Sequence, residues 1–272
     1  MRILSIFPGP DWIELLIFAT RYMKMKKRVL IGIDDTDNAE SRGTGFRARQ
    51  LGALLEANGL AVVNCISRHQ LLFDRRIPYT SHNSSACIDL HTNELEKVIA
   101  ICRSFLPEES APGSDAGLAV RYYDEVSDEV CRWGSRAKAE ILTQSEARLL
   151  ARNNGVYLEG FTGTEDGVIG SLAAIGLRKA GNDGRCLWVK GKDLREISGT
   201  FTVAEILKMV AVDGVTDKDF NKLQEDQHIM VGEWMKPIVK DHKLIIIAEK
   251  IQNDKNYEWH VATKDYIKSI TG

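Results

Sequence analysis

Three aspartates, Asp34, Asp35 and Asp37, stand within four positions directly after the apolar run of residues 29–33. Carboxylates this close repel one another, and burial increases the cost, so the stretch needs a cationic partner. Mg²⁺ fits, because it binds one or two carboxylates and completes its shell with water and substrate phosphates. We predict that all three aspartates are catalytic and hold Mg²⁺. The alternative is a polar turn, since Asp and Asn are common turn residues.

Two other acidic motifs match this stretch less well. An EF-hand loop has the pattern D-x-[DN]-x-[DN]-G, and its glycine is missing here in both possible registers. Aspartyl phosphotransferases carry D-x-D-x-T after a strand, and Ala39 stands where the final threonine belongs. An aspartyl phosphatase is therefore the weaker alternative.

Two glycine motifs suggest phosphate contacts. Gly43, Thr44 and Gly45 precede a predicted helix, whose N-terminal amides favour phosphates, and Thr44 is a suitable helix cap. Further along, Gly167, Gly170 and Ser171 open a second predicted helix and would let a ligand or another backbone approach it closely. Neither G-x-x-x-x-G-K-[ST] nor G-x-G-x-x-G is present. We predict nucleotide phosphates at both motifs, and tight helix–sheet packing is the alternative for the second.

Polar and cationic residues cluster at 74–87. Arginine forks suit phosphates, while hydroxyls and amides suit sugars or bases. We predict substrate contacts from Arg76, His82, Asn83 and Ser84. For His82 the alternative is an ordinary surface loop residue.

The apolar pattern predicts how these motifs are held. A buried strand at 28–33 ends at the aspartates, in the position where ligands bind in open α/β sheets. Further strands are predicted at 60–69, 84–91, 118–123 and 185–191, and helices at 46–57, 93–106 (ended near Pro107), 127–142, 143–155, 167–179 and 203–210, before a strand-rich tail. The fold class is α/β or α+β, with helices layered on a sheet.

The composition is that of a globular protein of 272 residues, 44% hydrophobic and 27% charged. A net charge of −2 and a pI near 6.3 argue against a dedicated nucleic-acid binder. Five scattered cysteines without a C-x-x-C pair indicate packing thiols, so we expect a cytoplasmic protein. The apolar stretch at 12–19 is too short to span a membrane, and no membrane partner is expected. Residues 1–25 are expected to be a leader or a mis-assigned start.

Several of these segments, in this order, resemble the archaeal tRNA agmatinylcytidine (agmatidine) synthetase family. They are GIDDTD at 32–37, Arg68 with IPYTSHNSSA at 77–86, SAPGSDAGLAV at 110–120 and EDGVIGSLAAIG at 165–176. The likeness covers roughly residues 28–210, and GIDDTD is its most specific element.

The resemblance implies a kinase-like catalytic domain paired with a ferredoxin-like domain. It also implies ATP-dependent phosphorylation of a carbonyl oxygen of a tRNA cytosine, followed by displacement by agmatine. The three aspartates would then hold Mg²⁺ and position ATP, and Arg68 would belong to the nucleotide site. The family's OB-like domain and zinc ribbon, which hold tRNA, have no counterpart here, and its T-R-G-N-G segment has become TSHNS at 80–84. We therefore expect a substrate smaller than tRNA.

These patterns predict an enzyme that uses Mg²⁺ and ATP, a ligase or kinase-like phosphoryl transferase that activates an oxygen of an unidentified acceptor. A non-catalytic nucleotide-binding or regulatory module is the alternative. The predicted parts are a first α/β part of the catalytic domain at 26–110, a second with the glycine-rich helix at 111–200, and a small α+β subdomain at 201–272.

Overall fold

The computed structural model describes residues 26–78, 82–232, 235–251 and 258–271. Within these ranges the chain forms thirteen strands and seven α-helices. The strands are β1 (Lys27–Asp34), β2 (Val62–Gln70), β3 (Ser84–Thr92), β4 (Gly117–Tyr122), β5 (Tyr157–Gly160), β6 (Arg185–Val189), β7 (Lys192–Asp193), β8 (Gly199–Thr202), β9 (Gly214–Thr216), β10 (His228–Val231), β11 (Ile238–Lys240), β12 (Lys243–Lys250) and β13 (Trp259–Val261). The helices are α1 (Thr44–Ala57), α2 (Leu95–Glu109), α3 (Asp128–Ala137), α4 (Gln144–Asn153), α5 (Gly167–Ala180), α6 (Val203–Met209) and α7 (Lys264–Thr271).

The first part of the sheet is antiparallel. Strand β1 pairs with β3 on one side and with β4 on the other, and β2 pairs with β3. Residues 27–122 therefore follow the order β-α-β-β-α-β with strands arranged β4-β1-β3-β2, a split β-α-β topology. The predicted mixed α/β fold is confirmed. One sheet crosses the domain boundaries predicted near residues 110 and 200, and those boundaries stay predictions.

Strand β1 is buried on both faces, which explains its unbroken apolar run. Val29, Ile31 and Ile33 contribute to a core shared with α1 and α2. Leu30 contributes to a second core, shared with α3, α4 and α5. Because side chains alternate along a strand, these two sets lie on opposite faces, so the sheet is sandwiched between two helical layers.

Helix α5 approaches the sheet closely at two glycines. A Cβ on Gly32 of β1 would lie 2.0 Å from the carbonyl oxygen of Ser171, and a Cβ on Gly117 of β4 would lie 2.1 Å from the carbonyl carbon of Gly167. Side chains cannot be accommodated at such distances, so both positions require glycine. The close approach brings the first turn of α5 to the end of β1, where Asp34 stands.

The C-terminal part extends the same sheet. Strand β6 pairs with β2, and β11, β12, β13, β10 and β8 continue from it. A third core includes Val189, Ile206, Ile229 and Ile246. The strand-rich tail predicted from the sequence is thus present and joined to the first part through β6.

Two predicted helix ends differ from the structure. Helix α2 continues past Pro107 to Glu109, because the proline lies in the last turn and the amide of Ser110 still donates to the carbonyl of Leu106. Helix α3 was predicted to reach residue 142 but ends at Ala137, after which the amides of Ala139 and Glu140 fold back to the carbonyl of Arg136. A capping box formed by Thr143 and Glu146 opens α4.

All five cysteines are free thiols, four of them buried, and the prediction that they serve packing is confirmed. None of the helices in the described ranges is long and apolar enough to cross a membrane. The leader predicted at residues 1–25 lies outside the described residues.

A buried ion cluster joins β3 to α5. Asp89 is fully buried and accepts hydrogen bonds from Arg28 (2.9 and 2.6 Å) and Asn64 (3.0 Å), while Arg178 forms an ion pair with it at 2.7 Å. Burial alone would raise the pKa of Asp89, but the hydrogen bond from Arg28 and the charge of Arg178 outweigh it and lower the pKa. This carboxylate therefore stays ionised in the core.

We expect Asp89→Ala to lower the free energy of unfolding by about 3–5 kcal/mol, because Arg178 becomes a buried cation without its partner. Urea denaturation measures this loss. Glu94→Ala is the control, since Glu94 forms an exposed pair with Lys97 and its loss is expected to cost less than about 1 kcal/mol. Equal effects of the two substitutions would contradict a structural role for the cluster.

Candidate functional site

The three aspartates lie at the end of β1, as predicted. Asp34 is the last residue of the strand and is 9% exposed. Both neighbours of β1 run antiparallel to it, so the crevice beyond Asp34 is not bounded by the carboxyl ends of neighbouring strands. The first turn of α5 forms it instead: a Cβ on Gly170 would lie 1.7 Å from Oδ2 of Asp34.

A cavity of about 330 Å³, which we call the acidic cavity, opens at these carboxylates. Its lining contains five carboxylate side chains and one cationic side chain, Arg76. The carboxylates belong to Asp34, Asp35, Asp37, Glu140 and Asp166. Apolar residues complete the lining, among them Leu71, Ile77, Ile141, Leu142 and Ile169. The cavity thus combines a polyanionic region with an apolar wall.

The carboxylates of the acidic cavity are hard to ionise together. Burial raises the pKa of Asp35 to about 7, with further contributions from Asp115, Asp37 and Asp166. Burial, followed by the charge of Asp35, raises the pKa of Asp34 well above its ordinary value. A bound cation would remove this penalty and keep both carboxylates charged.

Asp35 has a backbone φ of 50°, in the left-handed region that favours glycine. Such a conformation is strained and is maintained only where the surrounding structure enforces it, which is frequent at functional sites. Adjacent residues of a regular strand point to opposite faces, yet Asp34 and Asp35 both line the acidic cavity. The unusual backbone at Asp35 brings these neighbouring carboxylates to one site.

Asp37 holds the start of α1. Its Oδ1 accepts hydrogen bonds from the amide of Thr44 (3.1 Å) and from its hydroxyl (2.8 Å). The hydroxyl of Thr36 donates in turn to Oγ1 of Thr44 at 3.2 Å. The cap position is occupied by Gly43, so the prediction that Thr44 caps the helix is wrong, and the carboxylate of Asp37 binds the N-terminal amide instead.

A second cavity, of about 360 Å³, adjoins the first, and we call it the basic cavity. The two cavities share Asp37, Thr44, His82 and Ser84 in their linings. Seven cationic side chains line the basic cavity, namely Arg42, Arg49, Arg68, Arg185, Arg195, Lys236 and Lys264. Gly43 and Gly45 line it as well, so four residues predicted to bind phosphates (Gly43, Thr44, Gly45 and Arg68) surround one positively charged space.

The glycine-rich start of α5 divides into two parts. Gly167 and Gly170 line the acidic cavity, and a role in nucleotide binding stays a prediction for them. Ser171 is fully buried, its hydroxyl donates to the carbonyl of Val168 at 3.1 Å, and it lines neither cavity. Tight packing against β1 explains Ser171, as the sequence alternative proposed.

The predicted substrate residues lie together around both cavities. Ser84 and His82 line both, and Ser84 accepts a hydrogen bond from Nε of Arg68 at 2.7 Å. Asn83 lines the acidic cavity, but its amide donates to the carbonyl of Leu72 at 2.8 Å, so part of its role is to hold the loop.

Burial and neighbouring positive charges lower the pKa values of two basic groups near this loop. Burial, followed by the charge of Arg185, lowers the pKa of Arg68 to about 10. Burial, followed by the charge of Arg68, lowers the pKa of His82. Arg76 is different: its side chain is 75% exposed and pairs with Asp74 at 2.7 Å at the rim of the acidic cavity.

Sequence reasoning missed two acidic neighbours of Asp35. Asp115 lies in the loop before β4, where its carboxylate accepts a hydrogen bond from the amide of Thr164. Asp166 immediately precedes α5, and its Oδ1 accepts from Nε2 of Gln144 at 2.7 Å. Local patterns carry no signal that brings these loops to β1; only the packing of α5 on the sheet does so.

A Ser-His-Asp chain elsewhere in the fold has the contacts of a nucleophilic triad. Nε2 of His69 lies 2.8 Å from Oγ of Ser67, and its Nδ1 lies 2.8 Å from Oδ1 of Asp183. Ser67 and His69 are both fully buried, and neither lines the acidic or the basic cavity. A substrate has no access to this hydroxyl, so the chain stabilises the contact between β2 and the loop before β6.

Within the described residues, no group of three or more His, Cys, Asp or Glu side chains is arranged to hold a metal ion by itself. Mg²⁺ does not require such a group, since one or two carboxylates, water and substrate phosphates suffice. Asp34 and Asp35 fit best, because both line the acidic cavity and burial disfavours their charge. The metal stays a prediction.

Comparisons of the sequence with known proteins find one partial relative. No protein-family model matches the sequence. An uncharacterised protein of Methanocaldococcus jannaschii is 29% identical over 163 residues, which cover 57% of this chain and 51% of that protein. The chain therefore spans about half the length of this curated relative.

Among solved structures, TiaS in complex with tRNA and ATP is similar with a TM-score of 0.50 and 21% identity, over 55% of this chain and 36% of TiaS. Apo TiaS, a tRNA agmatidine synthetase, has a TM-score of 0.48 and 20% identity, over 55% of this chain and 35% of the TiaS chain. At 21% identity, the likeness to the complex with tRNA and ATP shows a shared fold over about half of the chain.

Proposed function

We propose that this protein is a Mg²⁺- and ATP-dependent enzyme that activates an oxygen of an acceptor smaller than tRNA by phosphoryl transfer. The observation that carries this proposal is the meeting of two cavities of opposite charge at Asp37, Thr44, His82 and Ser84. A carboxylate site for a cation and a cationic site for phosphates, side by side, are the two parts that phosphoryl transfer requires. The fold shared with TiaS, which has been solved with ATP, supports the choice of nucleotide.

The lining residues of the two cavities have different roles in binding and catalysis. The apolar wall of the acidic cavity, including Leu71, Ile141 and Ile169, suits a nucleoside base. Asp34 and Asp35 would hold Mg²⁺, which neutralises phosphate charge when it is bound. Asp37 is held by Thr44 and fixes the wall between the two cavities. Arg68, held by Ser84, lies on the other side of this wall in the lining of the basic cavity, where its guanidinium suits a phosphoryl oxygen.

In the reaction, the γ-phosphorus of ATP forms a bond to the acceptor oxygen while its bond to the β-phosphate oxygen breaks, and ADP leaves with that electron pair. The residues contribute position and charge, as in other phosphoryl transfers. An amine can then form a bond to the carbon that carries the phosphorylated oxygen, and that oxygen leaves with its electron pair as inorganic phosphate, which would make the overall reaction a ligation.

Isothermal titration with ATP tests the proposal directly. In Mg²⁺, we expect Asp35→Asn to weaken ATP binding at least about tenfold, because one charged metal ligand is lost. In EDTA, the same substitution should not weaken binding, since it removes a negative charge that repels the phosphates. Asp124→Asn is the matched control, because Asp124 is an exposed residue of a short 3₁₀-helix, Tyr123–Glu125. Failure of the wild-type protein to bind ATP with Mg²⁺ would refute the proposal.

Turnover distinguishes the enzyme from a nucleotide-binding module. Release of ADP, AMP and phosphate is measured with panels of candidate acceptors. Nucleotide binding without release across broad panels would favour a non-catalytic module. Trapping of Asp34 or Asp35 by fluoroberyllate, with no requirement for ATP, would instead favour an aspartyl phosphatase.

A further inference from the structure

The basic cavity concentrates positive charge far beyond what the chain as a whole carries. Seven cationic side chains and one carboxylate, Asp37, line a space of about 360 Å³, while the protein has a net charge of −2. Lys236 is 9% exposed, so part of this charge is removed from solvent. Arg49 of this lining already forms an ion pair with Asp193 at 3.0 Å. Concentrating like charges in one space is costly, and a bound anion would offset part of that cost.

The core of this cavity is a like-charged pair. Arg68 of β2 and Arg185 of β6 stand directly opposite one another in the sheet, an arrangement that destabilises a ladder. Burial lowers the pKa of Arg185, and its guanidinium forms no hydrogen bond or ion pair with any residue in the described ranges. Two arginines held side by side form a fork that matches the oxygens of a phosphoryl group.

We infer that the basic cavity is the acceptor site and that the acceptor is a small phosphorylated compound, whose phosphate lies between Arg68 and Arg185. This inference rests on the proposed function and names the class of its substrate. The triphosphate of ATP belongs with the cation at Asp34 and Asp35, which line only the acidic cavity. An acceptor anchored in the basic cavity would present its oxygen at the wall that the two cavities share.

The dimensions favour a small molecule over a nucleic acid. The cationic groups surround a half-open pocket of a few hundred cubic ångströms, a volume typical of small-ligand sites. Nucleic-acid sites instead spread cationic side chains along an extended surface, usually on a protein with a net positive charge. This chain has 36 lysines and arginines against 38 acidic residues.

Inorganic pyrophosphate is the probe, titrated into the full chain with and without a saturating non-hydrolysable ATP analogue and Mg²⁺. We expect Arg185→Gln to weaken pyrophosphate binding at least about tenfold and ATP binding less than about threefold. Arg42→Gln, at an exposed residue of the same cavity, should weaken pyrophosphate in the same direction without a risk to folding. Arg103→Gln removes an equal charge from an exposed pair with Glu159 and is the control.

Asp35→Asn is expected to show the opposite pattern, with ATP binding weakened in Mg²⁺ and pyrophosphate binding retained. If the ATP analogue displaces pyrophosphate, and Arg185→Gln weakens both, the cavity is the nucleotide's own phosphate site and the inference is wrong. Absence of pyrophosphate binding, or tighter binding of a short single-stranded oligonucleotide that is sensitive to Arg185→Gln, would also overturn it. If the wild-type protein binds pyrophosphate but does not bind ATP, the proposed function is refuted, while an anion site at Arg68 and Arg185 is retained.

Discussion

Replacing Gly170 with alanine is expected to weaken ATP binding in Mg²⁺ by about 10–100-fold, the loss that follows when one hydrogen-bonded charged group is displaced. The new Cβ would lie 1.7 Å from Oδ2 of Asp34 and 3.0 Å from Cδ1 of Leu71. Both atoms are ends of side chains that can rotate, so the carboxylate of Asp34 leaves its position. Isothermal titration of ATP measures the effect.

The same substitution should cost little stability. Alanine is a better helix former than glycine by about 1 kcal/mol, which offsets part of the cost of moving the two side chains. We therefore expect the free energy of unfolding to fall by less than about 1.5 kcal/mol. A large loss of affinity for ATP with a small loss of folding stability is what we expect if the substitution displaces the carboxylate of Asp34 from the site.

A double-mutant cycle identifies the mechanism. If Gly170→Ala acts by displacing Asp34, it should have no further effect on ATP binding in the Asp34→Ala protein, and the two effects will be strongly non-additive. Equal effects in both backgrounds would show that Gly170 contacts the nucleotide itself. The cycle therefore decides whether Gly170 acts through Asp34 or contacts the nucleotide itself.

Sequence alone predicts the parts of this site that are local. The continuous apolar run of β1 indicates a strand buried on both faces, and the structure places it between two helical layers. The aspartates follow at its end, and the glycine motifs lie at the starts of α1 and α5. These features depend on residues close in sequence, where periodicity and turn chemistry are informative.

The rest depends on pairing between distant segments. Arg68 and Arg185 meet because β2 and β6 are neighbours in the sheet, and no periodicity within either strand specifies that partner. Asp115 and Asp166 come near Asp35 only because α5 packs on β1 and β4. The antiparallel order around β1 was missed for the same reason, since a strand's own sequence does not reveal the direction of its neighbours.

The backbone at residue 165 shows a further limit of sequence reasoning. Glu165 has a φ of 67°, in the region that favours glycine. Its carboxylate forms an ion pair with Arg148. The residue type at position 165 therefore gives no indication of the backbone conformation of the turn before α5.

Gly32→Ala is expected to lower the free energy of unfolding by at least about 4 kcal/mol, which is exceptional for a single methyl group. The added Cβ would lie 2.0 Å from the carbonyl oxygen of Ser171, 2.9 Å from its carbonyl carbon and 3.2 Å from Cγ2 of Ile175. The first two atoms belong to the backbone in the middle of α5, so relief requires the helix to move away from the sheet. Urea denaturation followed by circular dichroism measures the loss.

Gly52→Ala is the matched control, because its Cβ would lie 3.1 Å from the side-chain end of Ile66 and at an ordinary contact distance of 3.7 Å from Val63, within a helix where alanine is favoured. We expect that change to alter the unfolding free energy by less than about 1 kcal/mol. If Gly32→Ala were as mild as this control, α5 would not be seated on β1 as described. Because the same seating places the first turn of α5 against Asp34, any Gly32→Ala protein that still folds should also lose affinity for ATP in Mg²⁺, which links the packing of GIDDTD to its chemistry.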